Sequence, residues 1–112
     1  MNFYLPFWIL ISIYIAREVP NGGSDAKLHQ IRIEGMRFVP KILDVTVGDT
    51  VLWINHSAMA HNVISENLTF QSAMLPKNGE FTFVFTKAGT YPYYCQPHKI
   101  MGMKGTILVK AK

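Results

Sequence analysis

The sequence predicts an all-β domain, a Greek-key antiparallel β-sandwich, and three observations carry that prediction. Short stretches of β-branched and aromatic residues alternate with period two. Turn signals such as Gly48-Asp49 and Ala88-Gly89 fall between them. No ten-residue window carries an apolar period of 3.6, so no amphipathic helix competes for the core.

The elements follow in order. Leu28 to Glu34 alternates, placing Ile31 and Ile33 on one face and Gln30 and Arg32 on the other. Ile42 to Val47 is a β-branched strand ending at Gly48-Asp49, and Thr50 to Asn55 follows directly, so the pair makes a hairpin or a corner with Trp53 inside it. His61 to Ser65 is a short strand. Glu80 to Thr86 sets Phe81, Phe83 and Phe85 against Thr82, Val84 and Thr86. Thr90 to Cys95 is aromatic, and Gly105 to Lys110 closes the domain. The connection from Glu66 to Gly79 has room for one helical turn at most. About seven strands with such spacing read as a sandwich.

Ahead of this domain lies a different segment. From Phe3 to Ala16 every residue is apolar or aromatic except Pro6 and Ser12. The run is shorter than the roughly 20 residues a membrane-spanning helix needs. It fits the apolar core of an export signal, although Arg17 lies after it rather than before it. Residues 1–24 are therefore read as a signal peptide or membrane anchor plus linker, and residues 25–112 as the functional domain. That places the protein in the periplasm or another extracytoplasmic space, with any membrane contact made only through the N-terminal segment.

The leader carries one base, Arg17, and one acid, Glu18, so the domain keeps the net charge of +4 of the whole chain. Its basic residues are scattered without a run, which speaks against a nucleic-acid partner. The chain has 1 cysteine, so no internal disulfide can staple it. A lone thiol in an exported protein is open to oxidation unless it is buried or bound.

Cys95 sits in the stretch Tyr93-Tyr94-Cys95-Gln96-Pro97-His98-Lys99-Ile100-Met101-Gly102-Met103-Lys104-Gly105. A thiolate, an imidazole and two thioethers fall within nine residues on the connection between the last two strands. His61 stands 34 residues upstream of Cys95 at the start of another strand. Thiolate and thioether donors combined with imidazole suit copper, and two His with one Cys and a weak Met make an electron-transfer copper site. Cys95 and His98 can share one ion only if the backbone turns between them, and Pro97 favours that turn. Taken alone, Cys95 would be a small buried hydrophobe and His61 an ordinary strand residue. Their convergence with His98 and the Met pair removes that reading. His29 and His56 read as an outward strand residue and a loop residue, and Trp53 and the Phe81/Phe83/Phe85 stripe read as core.

These motifs make the chain similar to the cupredoxin (blue copper) family, in its plastocyanin, pseudoazurin and amicyanin group. The matching segments are Phe38-Val39-Pro40 through Val47-Gly48-Asp49-Thr50-Val51-Leu52-Trp53-Ile54-Asn55, then His61-Asn62-Val63, then Gly89-Thr90-Tyr91 through Gly105. The resemblance implies one type 1 copper ion cycling between Cu(I) and Cu(II), held by His61, Cys95 and His98. It implies an axial Met two or four residues beyond the second His, so that Met101 and Met103 both qualify. The Met-Gly-Met-Lys-Gly run is like that of pseudoazurin and favours Met103. It further implies that Asn62 ties the ligand loops together and aims its backbone N–H at the Cys95 sulfur, where Pro97 offers no second donor.

On that resemblance the chain shuttles single electrons between redox partner proteins such as a cytochrome or an oxidoreductase. The edge of His98 would show through an apolar patch of Pro97, Ile100 and Met101. Lys99, Lys104 and Lys77 would form a basic rim facing an acidic docking surface. A carrier that docks and leaves quickly is expected to be a monomer. Catalysis at the metal is not expected. Four protein ligands leave no open position, the His-x-His pairs of multicopper enzymes do not occur, and a two-copper centre would need a second Cys. The rival function is copper storage or delivery, which the 6 methionines keep in view.

Overall fold

The computed structural model describes residues 26–112, and the predicted leader, residues 1–24, lies outside the described residues. Eight strands form in order: β1 (Leu28–Glu34), β2 (Arg37–Val39), β3 (Ile42–Thr46), β4 (Thr50–Asn55), β5 (Ile64–Ser65), β6 (Glu80–Val84), β7 (Gly89–Tyr94) and β8 (Lys104–Lys110). They build two four-stranded sheets, ordered β2-β1-β4-β6 and β3-β8-β7-β5. The expected sandwich is therefore present. No helix among the described residues is long and apolar enough to cross a membrane.

Alternation explains the layers. Ile31 and Ile33 of β1, Val51 and Trp53 of β4, and Tyr91 and Tyr93 of β7 are buried, as are Ile107 and Val109 of β8. On β6, Phe81 and Phe83 are half-buried and pack on the core, and Phe85 just beyond it is fully buried. Trp53 is the hub. Its ring meets Phe70 and Phe81 at 5.5 Å and Tyr93 edge-on at 5.5 Å, a geometry that adds to plain area burial.

Three details differ from the sequence reading. First, the sheets are mixed: β1 runs parallel to β4, with Leu28 opposite Thr50 and Ile33 opposite Asn55, and β3 runs parallel to β8. The chain crosses from one sheet to the other at Gly48, where φ is +100°, so β3 and β4 meet at a corner and not as a hairpin. Second, Arg37–Val39 adds a short strand that pairs antiparallel with β1, with Ile33 opposite Phe38. Third, a helical turn that the sequence reading did not place lies at Gln96–Met101, while the Glu66–Gly79 connection, given room for one turn at most, holds none.

Register then defines two poles. The ends of β1 and β4 at Ile33 and Asn55, and the start of β8 at Lys104, lie at one pole with the loops that carry His61 and Cys95. The starts of β1 and β4, the Gly48 corner and the end of β8 lie at the other. There Asp49, almost fully buried, accepts hydrogen bonds from the backbone N–H groups of Thr46 and Lys27 and pairs with His29 at 2.9 Å. These contacts hold the Asp49 carboxyl down at about 2, the Thr46 bond first and the His29 and Lys27 bonds after it. His29 therefore does not point outward as expected: it shares the phase of Ile31 and Ile33, is partly buried, and clamps the corner through Asp49.

Candidate metal centre

Cys95 directly follows β7 and caps a 3-10 segment, Gln96–Met101, that breaks at His98 (φ −117°, ψ 16°) and stops at Gly102 in the left-handed region (φ +83°). Pro97 sits in its first turn, where its fixed φ suits the bend and no N–H is needed. Hydrogen bonds from Cys95 N–H to the Met103 carbonyl (3.1 Å), His98 N–H to the Cys95 carbonyl (3.1 Å) and Met103 N–H to the His98 carbonyl (3.3 Å) close the loop at its neck. The bend brings Cys95 Sγ and His98 Nδ1 to within 3.5 Å of one another and ties the Met103 backbone to both residues.

His61 reaches the cluster from the segment before β5. It is fixed by a reciprocal backbone pair with Leu75, His61 N–H to carbonyl at 3.1 Å and Leu75 N–H to carbonyl at 2.7 Å. Its ring is fully buried. Burial first, and the neighbouring His98 second, hold the His61 imidazole below its ordinary pKa, with the Gly35 carbonyl acting the other way. The ring is therefore neutral near pH 7 and offers a lone pair. Its Nε2 makes no hydrogen bond of good geometry, although Gly35 is near enough to favour a proton there.

The donor atoms of His61, Cys95 and His98 all lie within 4.8 Å of one another. Cys95 Sγ is 3.6 Å from His61 Nδ1 and 3.5 Å from His98 Nδ1. Metal–nitrogen and metal–sulfur bonds of about 2.0 and 2.3 Å, at angles between tetrahedral and trigonal, put N and S roughly 3.5–3.8 Å apart. Both sulfur–nitrogen distances match those of one shared ion. Cys95 is fully buried, which shields the thiolate, and His98 is only half-buried.

The remaining predicted site residues fall as follows. Met103 is buried to 1% exposure, whereas Met101 is 63% exposed and Ile100 91% exposed. Pro97 and Lys99 are exposed, and the Lys99 ammonium lies 4.1 Å over the Tyr94 ring. Asn62 Oδ1 accepts from the Gln96 backbone N–H at 2.8 Å and so joins the His61 segment to the Cys95 loop. Met59 and Met74 are about half-exposed, and Leu75 is buried as the partner of His61.

Sequence reasoning missed Asn55. It is fully buried at the end of β4, and its Nδ2 donates to the Met59 and Leu75 carbonyls at 2.8 and 2.9 Å. Its Oδ1 accepts from both the backbone N–H and the hydroxyl of Ser57 at 2.9 Å. Through Leu75 it fixes the backbone of His61. The signal was available, because Asn55 shares the inward phase of Val51 and Trp53 and is the one polar residue there.

With this geometry in place, residues 26–110 match the family model of copper binding proteins of the plastocyanin/azurin family. The chain belongs to that family. Amicyanin of Paracoccus denitrificans is 36% identical over 104 residues, covering 88% of this chain and 74% of the relative. A chloroplastic plastocyanin of Physcomitrium patens is 30% identical over 112 residues, covering 90% of this chain and 62% of that protein. A solved structure of an oxidised amicyanin variant superposes with a TM-score of 0.68 at 36% identity, covering 83% of this chain and 87% of that one. A purple cupredoxin from Nitrosopumilus maritimus gives 0.68 at 30% identity, covering 73% and 99%. Family membership and the two-His, one-Cys cluster make copper the metal of this site.

Proposed function

We propose that the protein is a type 1 copper electron carrier that passes single electrons between redox partner proteins, and not an enzyme. The observation that carries this reading is the contrast within one ligand set. Cys95 and His61 are sealed in the core, and His98 alone reaches the surface. A copper ion held there supplies a one-electron couple, Cu(I)/Cu(II), at a site with no open position for substrate.

His61, Cys95 and His98 would hold the ion, with Met103 as the fourth ligand. Its burial supports that assignment, since Met101 turns to solvent. The hydrogen bonds of Asn62, Asn55 and the loop neck hold the donor groups against movement, which keeps reorganisation small when the charge of the site changes. The family resemblance gives the backbone N–H of Asn62 the role of donor to the Cys95 sulfur, and Pro97 has no N–H to add a second. His98 provides the short path outward, through an apolar patch of Pro97, Ile100 and Met101. Lys99, Lys104 and Lys77 form the basic rim that attracts an acidic partner, a cytochrome or an oxidoreductase. The domain spans residues 25–112. It is exported by or anchored through residues 1–24, works outside the cytoplasm, and is monomeric.

Voltammetry of the copper-loaded protein tests this reading against storage or delivery of copper. A carrier gives a reversible one-electron wave at one potential over many cycles without losing metal. Metal loss on reduction, or an irreversible wave, would assign the protein to copper transfer instead.

A further inference from the structure

Beside the copper loop, the β1–β2 turn and the start of β8 enclose a groove of about 430 Å³. Three cationic residues line it: Arg37, Lys41 and Lys104. Their convergence follows from the topology. The Thr106 N–H donates to the Lys41 carbonyl at 2.9 Å, which holds Lys41 beside the first residues of β8. No carboxylate lines the groove among the described residues. Glu34 stands opposite Arg37 in the β1–β2 ladder, but Arg32 engages its carboxylate.

The rest of the lining is apolar, with Met36, Phe38 and Met101 prominent. Met36 is 40% exposed and Met101 63% exposed, so two adaptable thioether side chains flank the opening. Thioethers alone would suit Cu(I), but three like charges oppose a cation there. A free inorganic anion would leave the apolar wall unused. The combination fits a peptide segment that carries carboxylates next to apolar side chains. The groove also runs into the docking patch, because Met101 belongs to both, and Met103 forms part of its wall.

We infer that this groove seats an acidic segment of the redox partner, with Arg37, Lys41 and Lys104 as its charge anchors, while the partner's redox centre lies over His98. The inference rests on the electron-carrier reading above and adds Arg37 and Lys41, which lie outside the loop that holds the ligands.

The test titrates the full copper-loaded, reduced protein with a hexaglutamate peptide at low ionic strength, followed by backbone amide shifts. At about 10 mM salt screening extends over roughly 30 Å, so surface charges act at full range. Shifts should concentrate at Arg37, Lys41, Gly102 and Lys104. Arg37→Gln, Lys41→Gln and Lys104→Gln should each weaken binding about two- to fivefold, as expected for exposed ion pairs. Lys87→Gln and Lys110→Gln remove the same charge at the opposite pole and should change nothing. Equal weakening by those two controls, or shifts spread over the surface, would overturn the inference. So would groove-dependent binding to phosphatidylglycerol vesicles without binding to the peptide. The reversible copper wave is recorded on every variant. A groove silent to the peptide with the wave intact removes this inference alone, whereas a wild-type protein without the wave removes both.

Discussion

Replacing Asn55 with alanine should destabilise the domain far more than its position at a strand end suggests. The side chain makes four hydrogen bonds, two donated and two accepted. The carbonyls it serves are not orphaned by the change: Leu75 still accepts from His61 N–H, and Met59 still accepts from the Ser57 hydroxyl. The loss is then two donor bonds, one buried and one partly buried, at about 1 kcal/mol each, plus about 1 kcal/mol for the space vacated in a fully buried site. The total is about 2–4 kcal/mol, which in a domain of this size lowers Tm by roughly 10–25 °C. Urea and thermal unfolding of the copper-free protein measure it without interference from the metal. Ser57→Ala is the control, since it removes one partly exposed hydroxyl and should cost under about 1 kcal/mol. Because Asn55 fixes His61 only through Leu75, copper affinity should also fall by about 10- to 100-fold. An Asn55→Ala variant no less stable than Ser57→Ala, with copper affinity unchanged, would refute this chain of contacts.

Two further predictions concern the far pole and the core. The Asp49 carboxyl is held at about 2, below its unfolded value of 3.8, so its stabilisation is fully present above pH 4 and is lost as pH falls towards 2. With its His29 partner partly exposed to solvent, this is about 1–2 kcal/mol; Asp49→Asn should flatten stability between pH 4 and 2, and an unchanged acid limb would contradict the clamp. Gly105→Ala would drive a methyl group into the Tyr93 ring, itself fully buried beside Phe38 and Trp53. Overpacking there should cost at least about 1–3 kcal/mol, and unfolding curves that overlay those of wild type would show that the ring can move aside.

Much of this architecture was written in local pattern. The alternation of Glu80 to Thr86 gave both a strand and its buried face, and Leu28 to Glu34 did the same. The spacing of Cys95 and His98, with the Met pair just beyond, was equally local, which is why the metal loop could be read before its shape. What escaped was non-local or short. Period two is the same in parallel and antiparallel ladders, so β1 beside β4 could not be told from a hairpin partner. Arg37–Val39 is too brief to show a period at all. Asn55 works on carbonyls as far as 20 residues away, and a polar residue at a strand end reads as a turn signal until its partners are seen. The groove cations are similarly dispersed, with Arg37 and Lys41 on one segment and Lys104 on another. His29 was read as outward although it shares the phase of Ile31 and Ile33, because a histidine at a strand start reads as polar surface until the buried carboxylate it meets is seen.

The central claim is that Cys95, His61, His98 and Met103 would together hold a copper ion. Visible absorption and EPR of the Cu(II)-loaded protein, with Met103→Leu and Met101→Leu alongside, test it most directly. The account predicts an intense thiolate-to-copper band with narrow copper hyperfine splitting, altered by Met103→Leu and untouched by Met101→Leu. A pale protein with ordinary copper EPR, or a spectrum that responds to Met101 and ignores Met103, would contradict it.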